Sequence, residues 1–401
     1  EDAVIGQELS RVLSGAGLLG PVDPDVPSIV DLAGSLSRWL GGSPDGHIPS
    51  FSRQLEEYRG VVFVVADGLG LEQLERSAPD GFLASHVERE LRSVYPSTTA
   101  TALTSLASAT WAGRHGVTGW WTHLPGLSRT MCALTFRERE TGLSGPSLAV
   151  GMAEIVSGTS LYRTDRARVA SFLPAYIRDS DFARWTRSHT PIHGYRTLGH
   201  ALRRVGRAAR NIDGRFLLSV YLPHVDSAIH KWGTSHAEIG AVIGELDRGM
   251  ARLRRRLPGD VAVLLTADHG LIDLDRNLHS VIEDNDPLLE TLDLPPTGEG
   301  TNPIFHVKRG AEERFRERLT EIKAGEEFTL VSTDALAEAG FFGPRGIDPA
   351  VRARFGTHMG IAPRPALLEY VPSGRRAGRD RGIHGGLRPG EMRVPLCLAV
   401  R

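Results

Sequence analysis

The sequence predicts an α/β protein, a three-layer α/β/α sandwich with a mostly parallel central sheet and an inserted cap. Three apolar runs carry this prediction: Gly60–Ala66, Phe216–Tyr221 and Val261–Thr266. Continuous apolar runs that are rich in β-branched residues are typical of strands buried on both faces. Residues 237–257, between the last two runs, have helical periodicity. The alternation of strand, helix and strand indicates a parallel sheet that is covered by helices.

Two helices are predicted ahead of the first strand. They span Val4–Leu19 and Ile29–Leu40, and a glycine pair beginning at Gly41 ends the second helix. Glycine directly after the last periodic residue is a common helix stop. We therefore predict that residues 1–58 form an N-terminal helical lead-in packed on the core, and that residues 59–401 form the main domain.

Two stretches interrupt the alternation of strands and helices. Residues 120 to about 192 contain two adjacent tryptophans and many Ser, Thr and Gly residues in short mixed segments, so we predict a cap over the edge of the sheet. Residues 273 to about 365 are richer in Asp, Glu and Pro and are predicted to form a second insertion. Sheet pairing is expected to return at residues 366–370 and again at 394–400.

Charge and composition exclude several classes of protein. Lys and Arg number 47 and Asp and Glu number 48, so a nucleic-acid polymer is not an expected partner. The two cysteines, Cys132 and Cys397, rule out a disulfide framework or a cysteine-based zinc site. No apolar run approaches the roughly 20 residues of a membrane span, so no membrane partner is expected. The first residue is Glu1, not Met. We expect a cytoplasmic rather than a secreted protein, but a removed signal peptide would leave the same kind of start.

Acidic residues and histidines follow the predicted strands, where each strand ends. Because the carboxyl ends of parallel strands lie at one edge of a sheet, we expect these side chains to meet there. A further histidine lies between glycines that allow close backbone approach. Carboxylate and imidazole groups without cysteine are ligands that suit zinc, manganese or iron. The candidate ligands are Asp67, Asp226, His230, Asp268, His269 and His384.

A candidate nucleophile lies in Ser93–Leu103, which runs from an apolar strand into a helix. The hydroxyl groups of Thr98 and Thr99 fall at the start of the helix, where free N–H groups and the helix dipole favour an anion. A hydroxyl group is a weak nucleophile until a base or a metal lowers its pKa. The alternative interpretation is that these hydroxyl groups only cap the helix.

In combination, these segments resemble the alkaline phosphatase superfamily, and most closely its nucleotide pyrophosphatase/phosphodiesterase branch. The resemblance covers roughly residues 60–120, 215–273 and 380–400, and the motifs occur in the order of that family. The matching motifs are Asp67-Gly68, Pro96-Ser97-Thr98-Thr99, Asp226 with His230, Asp268-His269-Gly270 and His384-Gly385.

The resemblance implies an alkaline phosphatase-like catalytic domain with two zinc ions, for which manganese is an alternative. One ion would be held by Asp226, His230 and His384. The other would be held by Asp67, Asp268, His269 and the oxygen of Thr99. Thr99 would attack phosphorus, and the resulting phosphothreonine would then be hydrolysed. The implied substrate is a small nucleotide-like phosphodiester; the resemblance says nothing about oligomeric state.

The sequence departs from the family beside the nucleophile. Trp120 stands about where phosphodiesterases have an asparagine that holds a phosphoryl oxygen. Trp120 and Trp121 are therefore candidates for stacking on a nucleobase, although packing within the cap is the alternative. Thr98 is a candidate substrate contact and, by register, the alternative nucleophile. Because of this departure, a phosphomonoesterase acting on a small metabolite stays open as an alternative, and so does a catalytically silent protein that binds phosphate ligands.

Overall fold

A seven-stranded sheet forms the centre of the computed structural model, which describes Leu9 and residues 13–400. In chain order the strands are β1 Gly60–Ala66, β2 Val87–Arg92, β3 Arg168–Pro174, β4 Ile192–Tyr195, β5 Phe216–Leu222, β6 Val261–Thr266 and β7 Arg393–Ala399. They lie in the sheet in the order β2-β7-β6-β1-β5-β3-β4. Strand β7 runs antiparallel to β2 and β6, and the other pairs are parallel. The predicted mostly parallel sheet is therefore confirmed.

The three strands at the middle of the sheet are those that the sequence predicted. Every residue of β1, β5 and β6 is buried, as expected for apolar strands with both faces covered. Their registers align Val62 of β1 with Leu218 of β5 and Val263 of β6. This alignment brings the carboxyl ends of the three strands to the same edge of the sheet.

Helices cover the sheet in two groups. The helices of six residues or more are α1 Ile29–Trp39, α2 Pro49–Leu55, α3 Leu71–Ser77, α4 Thr99–Ser108, α5 Asp181–Thr186, α6 Leu198–Asn211, α7 His224–Trp232, α8 Ala237–Arg256, α9 Glu312–Thr320 and α10 Thr333–Glu338. One group contains α1 and α4, which contact each other, and the other contains α6, α7 and α8. None of the described helices is long and apolar enough to cross a bilayer.

The first predicted helices have different outcomes. The predicted helix at Ile29–Leu40 is α1, and the Ser28 side chain and Asp31 form a capping box at its start. The helix predicted over Val4–Leu19 falls largely outside the described residues.

The predicted cap over residues 120 to about 192 is too long. Arg168–Pro174 is strand β3 of the central sheet, paired in parallel with β5. The reason for the error is that β3 lies near the edge of the sheet, so its first half is only partly buried and lacks a continuous apolar run. The cap itself contains a small antiparallel sheet of Thr122–Leu124, Arg129–Cys132 and Arg137–Glu138.

The second insertion contains an antiparallel sheet of its own, and it contacts the cap. Trp121 of the cap and Gly298 of the insertion exchange two backbone hydrogen bonds, of 3.0 and 2.7 Å. The strand expected near residues 366–370 pairs with His279–Ile282 and not with the central sheet, whereas β7 returns to the central sheet as predicted. The strands of the insertion sheet are Thr297–Glu299, Asn302–Phe305, Thr329–Ser332 and His358–Ile361.

Candidate active site

Backbone contacts join three strand ends at one edge of the central sheet. The N–H group of Asp226 donates to the carbonyl oxygen of Asp67 at 3.0 Å. The N–H group of Gly68 donates to Oδ1 of Asp268 at 3.2 Å. Gly68 has a φ of +74°, and a Cβ atom there would lie 2.7 Å from Cα of Asp226. Only glycine permits this close approach, which brings the three aspartates together.

These three carboxylates form a closely spaced negative cluster. Asp67 is 1% exposed and Asp268 is fully buried. Histidines face the remaining carboxylate oxygens: Nε2 of His269 lies 3.5 Å from Oδ1 of Asp67 and 3.4 Å from Oδ2 of Asp268, and Nε2 of His230 lies 3.2 Å from Oδ1 of Asp226. Burial, together with the charges of Asp268 and Asp226, raises the pKa of Asp67 well above its usual value. Buried, mutually repelling carboxylates are the environment that a cation stabilises.

The histidines complete two groups of potential ligand atoms. Atoms of Asp67, Asp268 and His269 lie within 4.8 Å of one another, and so do atoms of Asp226, His269 and His384. The rings of His269 and His384 stack with their centroids 3.9 Å apart. Burial, then the neighbouring His269 and His230, lowers the pKa of His384 well below its usual value. A neutral imidazole is the form that binds a metal.

His230 lies beside the second group. Its Nδ1 is 2.8 Å from the carbonyl oxygen of Gly382, and its Nε2 is 3.2 Å from Oδ1 of Asp226. Burial lowers the pKa of His230, but Asp226 outweighs burial and raises the pKa to about 9. The contact with Gly382 orients the ring so that Nε2 faces the carboxylates.

All six predicted ligand residues therefore meet at this edge of the sheet. Their donor atoms are nitrogen and oxygen, and a cation would stabilise the closely spaced carboxylates. This donor set fits zinc or manganese.

Thr99 and Thr98 face different partners. Thr99 is the first residue of α4, and its Oγ1 is 3.0 Å from Nε2 of His269. Thr98 is fully buried, and its hydroxyl donates to Oε2 of Glu299 at 2.8 Å instead of capping the helix. The start of α4 therefore keeps free N–H groups beside Thr99, and such groups attract an anion. Thr99, and not Thr98, therefore lies beside the candidate metal ligands.

A cavity of about 840 Å³ opens above these residues. The predicted substrate-binding residues Trp120 and Trp121 line it together with Tyr176. The two indole rings are perpendicular with centroids 6.4 Å apart, and Trp120 is 37% exposed. Flat, partly exposed aromatic faces in the wall of a cavity can stack on a planar substrate group.

Glu299 is a residue of the site that the sequence did not reveal. It lines the cavity, and its Oε2 accepts hydrogen bonds from the hydroxyl of Thr98 and, at 3.2 Å, from the N–H group of Trp120. Burial raises the pKa of Glu299 to about 7, although these two hydrogen bonds act in the opposite direction. The only signal in the sequence was an acid between two glycines, Gly298 and Gly300, in an acidic insertion.

Two other residues that support the ligands were also missed. The hydroxyl of Tyr221 donates to Oδ2 of Asp67. Glu391 accepts hydrogen bonds from the N–H groups of Gly386 and Arg388, at 2.7 and 3.3 Å, in the loop that follows His384. Tyr221 was recognisable by its position near the end of β5, whereas Glu391 gave no signal because its partners are backbone groups.

Comparison with known proteins assigns the chain to a family. The type I phosphodiesterase / nucleotide pyrophosphatase family matches residues 61–385. The chain belongs to this family. The predicted resemblance is thus confirmed, and with it the predicted class of phosphoester hydrolase. No curated protein is significantly similar to the chain in sequence.

Solved structures of two kinds of protein share the fold. Human ectonucleotide pyrophosphatase/phosphodiesterase 5 is 15% identical, with a TM-score of 0.61 over 84% of this chain and 87% of its own. The mouse protein, with a TM-score of 0.59 over the same shares and 15% identity, was solved as an inactive variant with AMP. Phosphonoacetate hydrolase from Sinorhizobium meliloti, solved with phosphonoacetate, is 16% identical, with a TM-score of 0.60 over 85% of this chain and 90% of its own.

Proposed function

We propose that the protein is a two-metal phosphodiesterase that cleaves small nucleotide-like phosphate esters with Thr99 as its nucleophile. The main support for this proposal is the position of Thr99. Its hydroxyl lies at the start of α4, 3.0 Å from Nε2 of His269, beside the buried carboxylates of Asp67 and Asp268 and the partly buried carboxylate of Asp226. A nucleophile, an anion-binding helix end and a cation site thus share one cavity.

The residues present would hold two divalent ions in the arrangement that the family implies. Asp67, Asp268, His269 and Thr99 would serve one ion, and Asp226, His230 and His384 would serve the other. When bound, the ions would supply positive charge that lowers the pKa of a hydroxyl group and stabilises the phosphoryl oxygens. We favour zinc, with manganese as the alternative.

The chain's own groups perform the remaining steps. The Nδ1 atom of His269 is 3.1 Å from the carbonyl of Gly270, and this contact directs Nε2 toward Thr99 and the carboxylates. Thr99 gives up its hydroxyl proton to solvent and attacks phosphorus through Oγ1; the bond from phosphorus to the leaving group breaks, the leaving alcohol takes up a proton from solvent, and a phosphothreonine forms. The free N–H groups at the start of α4 hold a phosphoryl oxygen. Water then attacks phosphorus and restores the hydroxyl of Thr99.

Two related proteins support this class of substrate. The mouse structure contains AMP, and its inactive form differs by the replacement of a threonine by alanine. The bacterial hydrolase contains phosphonoacetate. Both ligands are small phosphorus anions, of the size that a cavity of about 840 Å³ can hold.

The test compares Thr99→Ala with the wild type on a bis-aryl phosphate and on the mono-aryl phosphate. We expect the wild type to prefer the diester, and Thr99→Ala to lose about 10³-fold or more in kcat/KM because the nucleophile is gone. Thr98→Ala is the matched control and should lose no more than about tenfold. If Thr98→Ala loses most of its kcat/KM and Thr99→Ala does not, Thr98 is the nucleophile.

The alternative functions, a phosphomonoesterase and a catalytically silent binding protein, predict different results in the same assay. A faster reaction with the monoester would favour the phosphomonoesterase. Tight binding of phosphate without turnover of either ester would favour the silent binding protein. Bound metal near zero after incubation with zinc or manganese would contradict the two-metal proposal.

A further inference from the structure

Arginines from two distant segments line the same cavity as Thr99. Arg137 and Arg139 belong to the cap, and Arg375 and Arg376 belong to the loop between Tyr370 and His384. We call these four residues the arginine cluster. Apart from His384, the candidate metal ligands lie beyond the ends of strands of the central sheet, whereas these arginines lie on the cap and on the loop before His384.

Two guanidinium groups of the cluster converge at Gly142. Nη1 of Arg137 donates to the carbonyl oxygen of Gly142 at 2.8 Å. A Cβ atom on Gly142 would lie 2.1 Å from Nη2 of Arg375, so the second guanidinium occupies that space. Within residues 13–400, neither Arg137, Arg375 nor Arg376 forms an ion pair. Like charges that converge without a carboxylate repel each other until an anion binds between them.

Arg139 adds a buried donor without a partner. Its side chain is 1% exposed. Nε bonds Glu140 at 2.9 Å and Nη1 donates to the carbonyl of Pro296 at 2.5 Å, but Nη2 meets no acceptor in the described part of the chain. The guanidinium lies over the ring of Tyr370, 4.6 Å from its centroid. An unsatisfied guanidinium N–H group in the interior costs free energy, which an anionic acceptor would recover.

The two acids nearest in sequence to the cluster have partners outside it. Glu138 is paired with Arg129 at 2.5 Å. Glu369 accepts the N–H group of Gly378 at 3.1 Å and lies 3.3 Å from His279. Neither acid forms an ion pair with Arg137, Arg375 or Arg376, so these three guanidinium groups are available to an anionic ligand.

We propose that the arginine cluster binds a second anionic group of the substrate, a phosphate or a carboxylate, away from the reacting phosphoryl group. The inference rests on the proposed phosphodiesterase function and narrows its substrate class to esters that carry two acidic groups. Guanidinium forks bind both kinds of oxyanion by paired hydrogen bonds. The chain as a whole has a net charge of −1, so attraction for such a substrate has to be local.

Matched chromogenic esters test the carboxylate form of this proposal. Bis(4-nitrophenyl) phosphate has no second acid, and bis(3-carboxy-4-nitrophenyl) phosphate adds carboxylates to the same ester. We expect the wild type to have the higher kcat/KM for the carboxylated ester. In the double variant Arg375→Ala/Arg376→Ala, the ratio of the two kcat/KM values should fall about tenfold, through KM. Arg379→Ala, on the same loop but outside the cavity lining, is the control and should keep the wild-type ratio.

A binding measurement tests the phosphate form without turnover. In Thr99→Ala, loaded with zinc, calorimetry would compare AMP with adenosine 3′,5′-bisphosphate. We expect the bisphosphate to bind about tenfold tighter, and the advantage to disappear when Arg375→Ala/Arg376→Ala is added or when salt is raised. If the double variant changes only the ratio of the kcat/KM values for the two esters, the site binds a carboxylate. If it changes only the ratio of the affinities for the two nucleotides, the site binds a phosphate.

Failure of this inference is separable from failure of the proposed function. Unchanged ratios in a double variant with wild-type circular dichroism would overturn the arginine site, even if the enzyme is active. A wild type that hydrolyses neither ester would contradict the phosphodiesterase, but the nucleotide binding ratios would still decide whether the arginine cluster binds a second anion.

Discussion

The two sides of the cavity are built by different means. On one side, Asp67, Asp226, Asp268 and His269 lie within four residues of the ends of strands whose registers are fixed by the parallel ladder. We call this the strand-end side. The other side combines the cap, the second insertion and the loop before His384, and we call it the insertion side; it includes Trp120, Trp121, Glu299 and the arginine cluster.

Different forces hold the two sides in place. The strand-end side is fixed by the central sheet and by backbone contacts such as that between Asp226 and Asp67. The insertion side is joined across chain segments by the backbone pair of Trp121 with Gly298 and by the contacts of Glu299. We infer that the strand-end side supplies the reaction and that the insertion side selects the substrate. Variants on the first side should abolish activity, and variants on the second should change ratios between substrates.

The largest expected effect is that of Asp268→Asn on the strand-end side. Asparagine can still accept the Gly68 N–H group at Oδ1, but it removes a buried charge from the cation site. We expect kcat/KM to fall about 10³-fold, or roughly 4 kcal/mol, and zinc to lose its effect on Tm. Because one of three repelling carboxylates is gone, the metal-free variant should unfold no more easily than the wild type. Full activity with bound zinc would show that Asp268 is not a ligand.

Glu391 should make stability depend on pH through the loop that follows His384. Burial raises its pKa to about 7, whereas an unfolded glutamate has a pKa of about 4.3. Its contribution to the free energy of unfolding is therefore fully present below about pH 4.3 and is lost as the pH rises to about 7.

Urea unfolding with chelator present measures this contribution. As the pH rises from about 4.5 to 8, the free energy of unfolding of the wild type should fall by up to about 3 kcal/mol relative to that of Glu391→Gln, because glutamine does not ionise. Glu317→Gln, which changes an exposed carboxylate on α9, is the control and should follow the wild type. Parallel pH curves for the wild type and Glu391→Gln would contradict the raised pKa.

Tyr221→Phe should weaken metal binding without changing the ligand set. The tyrosine hydroxyl donates to the carboxylate of Asp67 and orients it. Without the hydroxyl, this candidate metal ligand can rotate. Removing such a supporting hydrogen bond typically costs 10- to 100-fold in metal affinity. Tyr195→Phe is the control, because its hydroxyl donates to the carbonyl of Tyr221, at 2.5 Å, and not to a ligand. Equal zinc affinities for both variants, measured by competition with a chelating dye, would assign Tyr221 a structural role only.

The strand-end side was predictable from sequence because short, continuous sequence patterns identify both its strands and the residues that follow them. A continuous apolar run identifies each central strand, and the residue after the run is at the edge of the sheet. Strand β3 was missed because a strand near the edge of the sheet need not be apolar throughout. The ligand His384 was found through its glycine setting and the family motif and not through a strand.

The insertion side was not predictable because its contacts join distant parts of the chain. Glu299 meets Thr98 across a sequence separation of 201 residues. Arg137 and Arg375 meet at Gly142, which no local pattern relates to either of them. Single arginines in a chain with 47 basic residues give no sign of which ones converge. Tryptophan at positions 120 and 121 was the one visible signal, because two adjacent large aromatic residues in a polar segment stand out.

The smallest expected effect, a change in selectivity, concerns Glu299 on the insertion side. At about pH 8.5, above its pKa of about 7, its carboxylate should repel a monoester dianion more than a singly charged diester. Two unit charges a few ångströms apart near a protein surface repel by a few kcal/mol. Glutamine can still accept the hydrogen bonds from Thr98 and Trp120 but carries no charge. In Glu299→Gln, we expect the diester-to-monoester ratio of kcat/KM to fall about tenfold, through faster hydrolysis of the monoester.

Glu369→Gln is the matched control for this effect, because it removes a unit charge from the same cavity at a residue bonded to Gly378 and not to Thr98. A fall in the ratio in Glu299→Gln alone would place the charge selection beside the nucleophile. An equal fall in both variants would mean that the ratio follows the total charge of the cavity. An equal loss on both esters in Glu299→Gln would mean that Glu299 serves the reaction itself, and the division of labour between the two sides of the cavity would then be wrong.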